Sequence, residues 1–218
     1  MKQVRSKYCG NQSFEDLKVS ASSNADYIGF IFAPSKRRVE PVEVRKWIQN
    51  VDLKNKKLVG IFVHATLGEI KKVLSLVPLS IIQCHGNESV EDIMKIKHHT
   101  HLHVWKAIHH EIGAIDIMNK FAGVIDGYVI DTKVQDVWGG SGIAFDWSYI
   151  PSYMAVARRQ GVACLVAGGI NVDNIQTLLN YDIGGIDLAS GIESNGKKDI
   201  ERIRIIEKWV KRYEDSRL

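Results

Sequence analysis

The sequence predicts an α/β fold, a single (β/α)8 TIM barrel with a parallel eight-stranded core that spans residues 1–218. Short apolar runs rich in β-branched residues recur eight times. Their starts lie roughly 20 to 35 residues apart, which is the span of one βα unit. Most stretches between them carry apolar residues at helical spacing. Alternating strands and helices imply a parallel sheet, and eight such units without a leftover domain-sized segment imply a closed barrel.

The predicted strands and helices alternate along the whole chain. The strands are Val4–Tyr8, Tyr27–Phe32, Leu58–Val63, Leu79–Cys84, Leu102–Ala107, Gly127–Ile130, Ala163–Ala167 and Gly185–Ala189. The helices include one that follows the N-cap Ser13, and Val42–Val51, Leu67–Val77, Val90–Ile96 and Ile112–Phe121. A doubly wound open sheet is the alternative, but it usually has fewer units and a GxGxxG fingerprint, which this sequence lacks.

Composition and charge favour a globular protein with a small anionic substrate. The 218 residues are 45% hydrophobic and 25% charged, and 29 basic against 25 acidic residues leave a net charge of +4. That charge suits an anionic ligand and does not argue for nucleic acid. The three cysteines form no CxxC pair, so we expect no disulfide framework and no metal site. With neither a signal peptide nor an apolar run of about 18 residues, a soluble cytoplasmic protein without membrane contact is expected.

Cys9 is the first candidate for chemistry, because it ends the first predicted strand where the chain turns into a helix. The C-terminal ends of the strands are where barrel enzymes hold their active sites. Lys7 lies two residues earlier and therefore faces the same side, where its ammonium would favour a thiolate. The competing interpretation is a small buried apolar residue, which is common for cysteine.

Other strand ends add polar and glycine-rich segments to the same rim. Asp131 ends strand six, His85 follows strand four, and Lys106-Ala107 ends strand five. After strands seven and eight, Gly168-Gly169 and Ser190-Gly191-Ile192 predict a phosphate site made of backbone amides and a short extra helix. The long connection from Thr132 to Trp147 contains Gly139-Gly140-Ser141-Gly142 and predicts a lid over the site, with a surface insertion as the alternative.

Motifs along nearly the whole chain resemble the phosphoribosylanthranilate isomerase family. They are KYCG at 7–10, DYIGFIFAPSKRRV at 26–39, GIFV at 60–63, QCHGNES at 83–89, WKAIHH at 105–110, DGYVID at 126–131, GGSGIAFDW at 139–147, AGGIN at 167–171 and IDLASGIESNGKKD at 186–199. The sequence departs from the family's usual pattern at Asn11, His64, Cys84 and Ser141. None of these departures removes a proposed catalytic group.

The resemblance implies an Amadori rearrangement of N-(5'-phosphoribosyl)anthranilate in tryptophan biosynthesis, without a cofactor. It gives Cys9 the position of the general base and Asp131 that of the general acid. It gives Arg37 that of the arginine that meets the anthranilate carboxylate, with the adjacent Lys36 and Arg38 as alternatives. The expected partner is this phosphosugar-anthranilate substrate, in a monomer or homodimer. The predicted substrate-binding residues are Arg37, His85, Gly140, Gly168, Gly169, Ser190 and Gly191.

The reaction sets expectations for the protonation of the two catalytic groups. Asp131 must be protonated to open the ribose ring, which calls for a raised pKa, and Cys9 must be a thiolate to remove the C2′ proton. Strands one and eight are neighbours in a closed barrel, so we also expect Lys7 and Asp187 to form an ion pair inside it. Such a pair would make Lys7 structural rather than a stabiliser of the thiolate.

Other proteins with a phosphate cradle remain as alternatives. An indole-glycerol-phosphate synthase would show a catalytic lysine and glutamate set, of which Lys106 is a candidate. A sugar-phosphate epimerase would have metal-binding histidines on several strands, a pattern absent from this sequence. A non-catalytic phosphosugar sensor would be free to lose Cys9 or Asp131, and both are present.

Overall fold

Eight parallel strands close into a barrel in sequence order in the computed structural model, which describes residues 3–132 and 144–217. The strands are β1 (Arg5–Tyr8), β2 (Tyr27–Ile31), β3 (Lys57–Phe62), β4 (Ile81–Cys84), β5 (His103–His110), β6 (Gly127–Thr132), β7 (Ala163–Val166) and β8 (Gly185–Leu188). β1 pairs with both β2 and β8, which closes the sheet. The predicted barrel with its eight strands is confirmed.

Helices follow the strands around the outside, as βα alternation requires. They are α1 (Phe14–Ser22), α2 (Pro41–Ile48), α3 (Leu67–Leu74), α4 (Val90–Thr100), α5 (Ala114–Lys120), α6 (Ile150–Gln160), α7 (Ile175–Leu178) and α8 (Ile200–Asp215). Side-chain caps start several of them: Ser13 accepts from the Asp16 N–H, and Thr66 and Ser89 each form a capping box. The N-terminal boundaries of α1, α3 and α4 thus follow from local sequence.

One predicted strand and one predicted helix end at different residues in the structure. β5 runs to His110 instead of ending at Ala107, because it pairs with β6 as far as His110 and Thr132. Lys106 therefore lies within the strand and not at its end. α3 ends at Leu74 instead of Val77, and a proline at position 78 disfavours helical conformation for the residue before it.

The apolar core has two layers, one inside the barrel and one between the strands and the helices. The inner layer holds Cys9, Val59, Ile61, Ile81, Trp105, Ala107, Val129, Leu165 and Ala167, and the outer one packs the alternate strand residues against the helices. This alternation is the period of two of a β-strand. It points Cys9 into the barrel and Lys106, between Trp105 and Ala107, out of it.

Lys7 and Asp187 form the predicted ion pair inside the barrel. They are register partners on β1 and β8, and Lys7 Nζ donates to Asp187 Oδ2 at 2.6 Å with the lysine fully buried. A buried pair costs desolvation on both sides, so it is weak evidence for added stability. Its firm consequence is that the Lys7 charge is already matched by a carboxylate.

Membrane insertion through a helix finds no support among residues 3–132 and 144–217. None of the helices there combines the length and the apolar character that a bilayer crossing requires.

Candidate active site

One pocket opens at the C-terminal end of the barrel and collects most of the predicted site residues. Its lining includes Cys9, Arg37, His85, Asp131, Gly168, Gly169 and Ser190. They come from the ends of β1, β4, β6, β7 and β8 and from the loop after β2. The structure therefore brings together seven of the nine predicted residues.

The other two predicted residues stand apart from this lining. Gly191 is packed against the backbone after β7, where an added Cβ would lie 1.8 Å from the Ile170 carbonyl oxygen. Its observed role is to let two loops approach closely, which a side chain would prevent. Gly140 lies outside the described residues, as do residues 133–143 of the predicted lid.

Cys9 follows β1 and is held by its N–H, which donates to the Leu188 carbonyl oxygen on β8 at 2.8 Å. Gly29 on β2 gives its sulfur room, since a Cβ there would come within 2.9 Å of Sγ. Burial raises the pKa of the Cys9 thiol and Asp187 adds to this, while Lys7 and Lys198 oppose it, and the net pKa is raised. Lys7 favours the thiolate as expected, but it does not bring the pKa of the thiol below its ordinary value, because desolvation outweighs the nearby lysines.

Asp131 lines the same pocket as Cys9 and lies near the end of β6. Its Oδ1 accepts the Thr132 N–H at 2.8 Å, and its Oδ2 lies 3.4 Å from His85 Nε2. Burial raises the pKa of Asp131. His85, the Thr132 amide and His109 together lower it by more than burial raises it, so the net pKa is below the ordinary value. The expected raised pKa is therefore wrong, since donors and imidazoles from β4 to β6 favour the carboxylate.

His85 is oriented towards Asp131 by Gln83. The Gln83 amide nitrogen lies 3.1 Å from His85 Nδ1, and an amide nitrogen only donates, so Nδ1 accepts. A neutral ring then carries its proton on Nε2, the atom that faces Asp131. His85 thus lowers the pKa of the Asp131 carboxyl group as well as lining the pocket.

Arg37 is buried and already engaged by an acidic residue. Its Nε and one terminal nitrogen donate to the two oxygens of Glu193 at 2.8 and 2.6 Å. This is the bidentate geometry of an arginine–carboxylate pair. By contrast, Arg38 is exposed and pairs with Glu40 at the surface. Of these two arginines, the pocket includes Arg37.

The loops after β7 and β8 have the backbone conformations that the phosphate prediction needs. Gly168 and Gly169 have φ of +81° and +64°, a region that side chains disfavour. A Cβ on Gly168 would also lie 2.8 Å from Asp131 Oδ1. Ser190–Ile192 forms the predicted short helix, as a 3₁₀ turn. Both loops therefore present backbone to the same pocket as Cys9 and Asp131.

The family match and several relatives carry the same family name. Residues 6–209 match the family of N-(5'phosphoribosyl)anthranilate (PRA) isomerase. The N-(5'-phosphoribosyl)anthranilate isomerase of Geobacillus thermodenitrificans (strain NG80-2) is 49% identical over 213 residues, which are 98% of this chain and 96% of the relative. That of Bacillus subtilis (strain 168) is 41% identical over 213 residues, or 98% of each chain.

This chain belongs to the N-(5'-phosphoribosyl)anthranilate isomerase family. It is an aldose–ketose isomerase of tryptophan biosynthesis, as the motif resemblance implied.

Solved structures of phosphoribosyl anthranilate isomerases share the fold over nearly the whole chain. The crystal structure from Thermotoga maritima superposes with a TM-score of 0.82 at 30% identity and covers 96% of this chain and 99% of its own. Another was solved in complex with reduced 1-(o-carboxyphenylamino)-1-deoxyribulose 5-phosphate; its TM-score is 0.80 at 30% identity, with the same coverage.

Lys106 does not serve the pocket of this isomerase. Its Nζ donates outside the barrel to the Gly86 carbonyl oxygen at 2.5 Å and to Glu88 at 3.0 Å. A lysine held there cannot reach a substrate inside the rim, which removes the feature that favoured an indole-glycerol-phosphate synthase. In the part of the chain that the structure describes, histidine, cysteine and acidic residues form no group of three placed to hold a metal.

Sequence reasoning missed Glu193 as the partner of Arg37, and Lys198 altogether. Glu193 and Lys198 are register partners in a two-stranded hairpin, β9 (Glu193–Ser194) and β10 (Lys197–Lys198). Asn195 and Gly196 between them have φ of +50° and +74°, as a tight hairpin turn requires. The Asn-Gly pair between short segments is the signal that could have revealed this hairpin.

Proposed function

We propose that this isomerase converts N-(5'-phosphoribosyl)anthranilate to 1-(2-carboxyphenylamino)-1-deoxyribulose 5-phosphate, with Cys9 as general base and Asp131 as general acid. The observation that carries the assignment is that both groups line one pocket from separate strands, β1 and β6. A donor and an acceptor that act on different atoms of one substrate need this separation. The complex of a related enzyme with a reduced product analogue supports the substrate class.

The proposed reaction begins with one proton transfer by Asp131 and one by Cys9. Asp131 gives a proton to the ribose ring oxygen, the C1′–O bond breaks, and the nitrogen lone pair forms the C1′=N bond. The Cys9 thiolate then removes the C2′ proton, the C2′–H bonding pair forms the C1′=C2′ bond, and the C1′=N π pair returns to the nitrogen. The resulting enolamine gains a proton at C1′ and loses the C2′ hydroxyl proton, which gives the ketone. His85 Nε2, 3.4 Å from Asp131 Oδ2, is the neighbour through which the carboxyl group can regain its proton.

A continuous fluorescence assay with freshly made N-(5'-phosphoribosyl)anthranilate tests this function. The purified wild-type protein should consume the substrate without added metal or cofactor, and Cys9→Ala should serve as the background. Wild-type turnover no faster than this background would reject the proposal.

The proposed phosphate cradle consists of Gly168, Gly169 and Ser190 with the backbone around Gly191. Gly169→Val should raise KM strongly, because a branched side chain would occupy the phosphate space and strain a residue with φ of +64°. Gly161→Val is the matched control, since Gly161 caps α6 at φ +70° with open space around its Cβ position. Equal KM values in the two variants would mean that the phosphate binds elsewhere.

Arg37 is proposed to bind the anthranilate carboxylate with the donors that Glu193 leaves over. Arg37→Ala should cost about 2–5 kcal/mol in kcat/KM, the range for truncating one partner of a buried charge pair. Arg38→Ala, at the exposed neighbour, should be close to wild type. A product analogue without the carboxylate should bind wild type and Arg37→Ala alike. If Arg37→Ala still distinguishes analogues with and without the carboxylate, another cation binds that group.

Several broader assignments complete the proposal. Residues 1–218 are taken as one catalytic domain, supported by the single barrel that β1–β8 close. Three buried free cysteines support a location in the reducing cytoplasm. The mild charge supports a small-molecule partner and no nucleic acid. The Thermotoga maritima enzyme is described as dimeric, and sedimentation will decide between monomer and homodimer for this chain.

A further inference from the structure

Lys198 is a fully buried lysine whose three possible donors are all used at the edge of the pocket. Its Nζ donates to the Cys9 carbonyl oxygen at 2.7 Å, to Glu193 Oε1 at 2.9 Å and to the Ala189 carbonyl oxygen at 3.3 Å. Burial lowers the pKa of Lys198 and Glu193 opposes this shift. The geometry favours the charged form, because an ammonium has three N–H donors and a neutral amine only two. The Lys198 side chain is 0% exposed, which makes three satisfied donors a requirement.

The hairpin β9–β10 sets which lysine enters the site. Lys198 is the register partner of Glu193, whereas the adjacent Lys197 pairs with Ser194 and is exposed. Paired residues share one face of a two-stranded ribbon, and the next residue faces the opposite way. The Lys198 N–H also donates to Asp16 Oδ1 at 2.9 Å, which ties the hairpin to α1.

Lys198 and Arg37 share the carboxylate of Glu193. The Glu193 carboxylate accepts from Arg37 on one side and from Lys198 on the other. Two cations around one carboxylate leave a net charge of +1, whereas Arg37 and Glu193 alone would be neutral. The surplus charge lies between the proposed carboxylate-binding arginine and the proposed base.

We propose that Lys198 is a positioning residue for the isomerisation: it holds the Cys9 backbone in place and supplies the positive charge that favours both the thiolate and an anionic substrate. This role rests on the proposed function of Cys9 and Arg37. The charged groups that act on Cys9 are Lys7 on its own strand, Asp187 on β8 and Lys198 on β10. Lys7 is matched one to one by Asp187, whereas Lys198 and Arg37 share the single Glu193 carboxylate, so Lys198 acts on the thiol beside Lys7 from a cluster with surplus positive charge.

The test compares Lys198→Met with Lys197→Met. The second variant is the control, because it removes the positive charge of the adjacent, exposed lysine. The first readout is the pH dependence of Cys9 alkylation by iodoacetamide, followed on the Cys9 peptide without substrate. Cys84 and Cys164 should not be alkylated, because burial raises the pKa of each thiol to about 12. Lys198→Met should move the alkylation profile to higher pH, and Lys197→Met should leave it unchanged.

The second readout is kcat/KM, for which Lys198→Met should lose roughly 10²-fold, the effect of a small misplacement of a reacting group. Overlapping alkylation profiles of Lys198→Met and wild type would overturn the proposal. If Lys198→Met does not fold, Lys198→Gln replaces it, and failure of both to fold would also overturn it, leaving a structural lysine. The alkylation shift needs no turnover, so failure of the proposed function would be seen separately, in the wild type.

Discussion

Cys9→Ser should lose about 10²–10⁴-fold in kcat, which is the range for one general acid–base group. It should be about as inactive as Cys9→Ala. Serine nearly matches the shape of cysteine, but its hydroxyl is far less acidic and cannot serve as the base. Binding of a product analogue should be retained, which separates loss of chemistry from loss of fold. Cys164→Ala, at a buried cysteine on the helix-facing side of β7, should keep its kcat. Near-normal activity of Cys9→Ser would return Cys9 to the role of a small core residue.

Asp131→Asn should lose about as much in kcat, about 10²–10⁴-fold, because the amide cannot protonate the ring oxygen. Asparagine keeps an oxygen that can accept the Thr132 N–H, a bond of 2.8 Å in this structure, so the strand end should keep its shape. Product-analogue binding and thermal unfolding check that expectation. Asp116→Asn, on the exposed face of α5, is the matched control and should be fully active. An active Asp131→Asn would leave His85 as the better candidate for the acid.

The pKa shifts of these two groups give the pH profile an unusual assignment. With the pKa of Cys9 raised and that of Asp131 lowered, the active pair of thiolate and protonated carboxyl is a tautomer of the more abundant thiol and carboxylate. Falling pH protonates Asp131 while Cys9 stays a thiol, and rising pH ionises Cys9 while Asp131 stays a carboxylate. The kcat/KM profile is therefore a bell whose acidic limb belongs to Asp131 and whose alkaline limb belongs to Cys9.

His85→Asn tests that assignment. Because His85 helps to lower the pKa of Asp131, its loss should raise that pKa and move the acidic limb to higher pH. The alkaline limb should stay in place, since His85 does not act on Cys9. Movement of the alkaline limb alone would reverse the assignment of the two limbs.

Both proposed catalytic groups could be located from sequence because their positions depend on local regularities. Alternating apolar runs and helical stretches predict a barrel, and a barrel collects the ends of its parallel strands on one rim. Cys9 and Asp131 stand at the ends of such runs and do share one pocket. Lys7 and Asp187 were paired by the same reasoning, from neighbouring strands and a period of two.

Orientation and charge balance were beyond that reasoning. Lys106 ends a predicted apolar run, yet its strand continues, and its parity turns it out of the barrel towards Glu88. The expected raised pKa of Asp131 is wrong, because a pKa depends on burial and on neighbours from other strands. For Asp131, those neighbours are the imidazoles of His85 and His109, which the fold brings to its side.

The sequence by itself determined the barrel, the family and the two catalytic candidates, since these follow from periodicity, strand ends and contiguous motifs. The Lys7–Asp187 pair was also within its reach, but only the tertiary structure decided the partners of Arg37 and Lys198. Arg37 meets Glu193 across 156 positions and Lys198 meets the Cys9 carbonyl across 189, contacts that no local pattern encodes. Desolvation then makes each of these pairings obligatory, because a charge buried in the folded barrel must be matched by whatever group lies beside it.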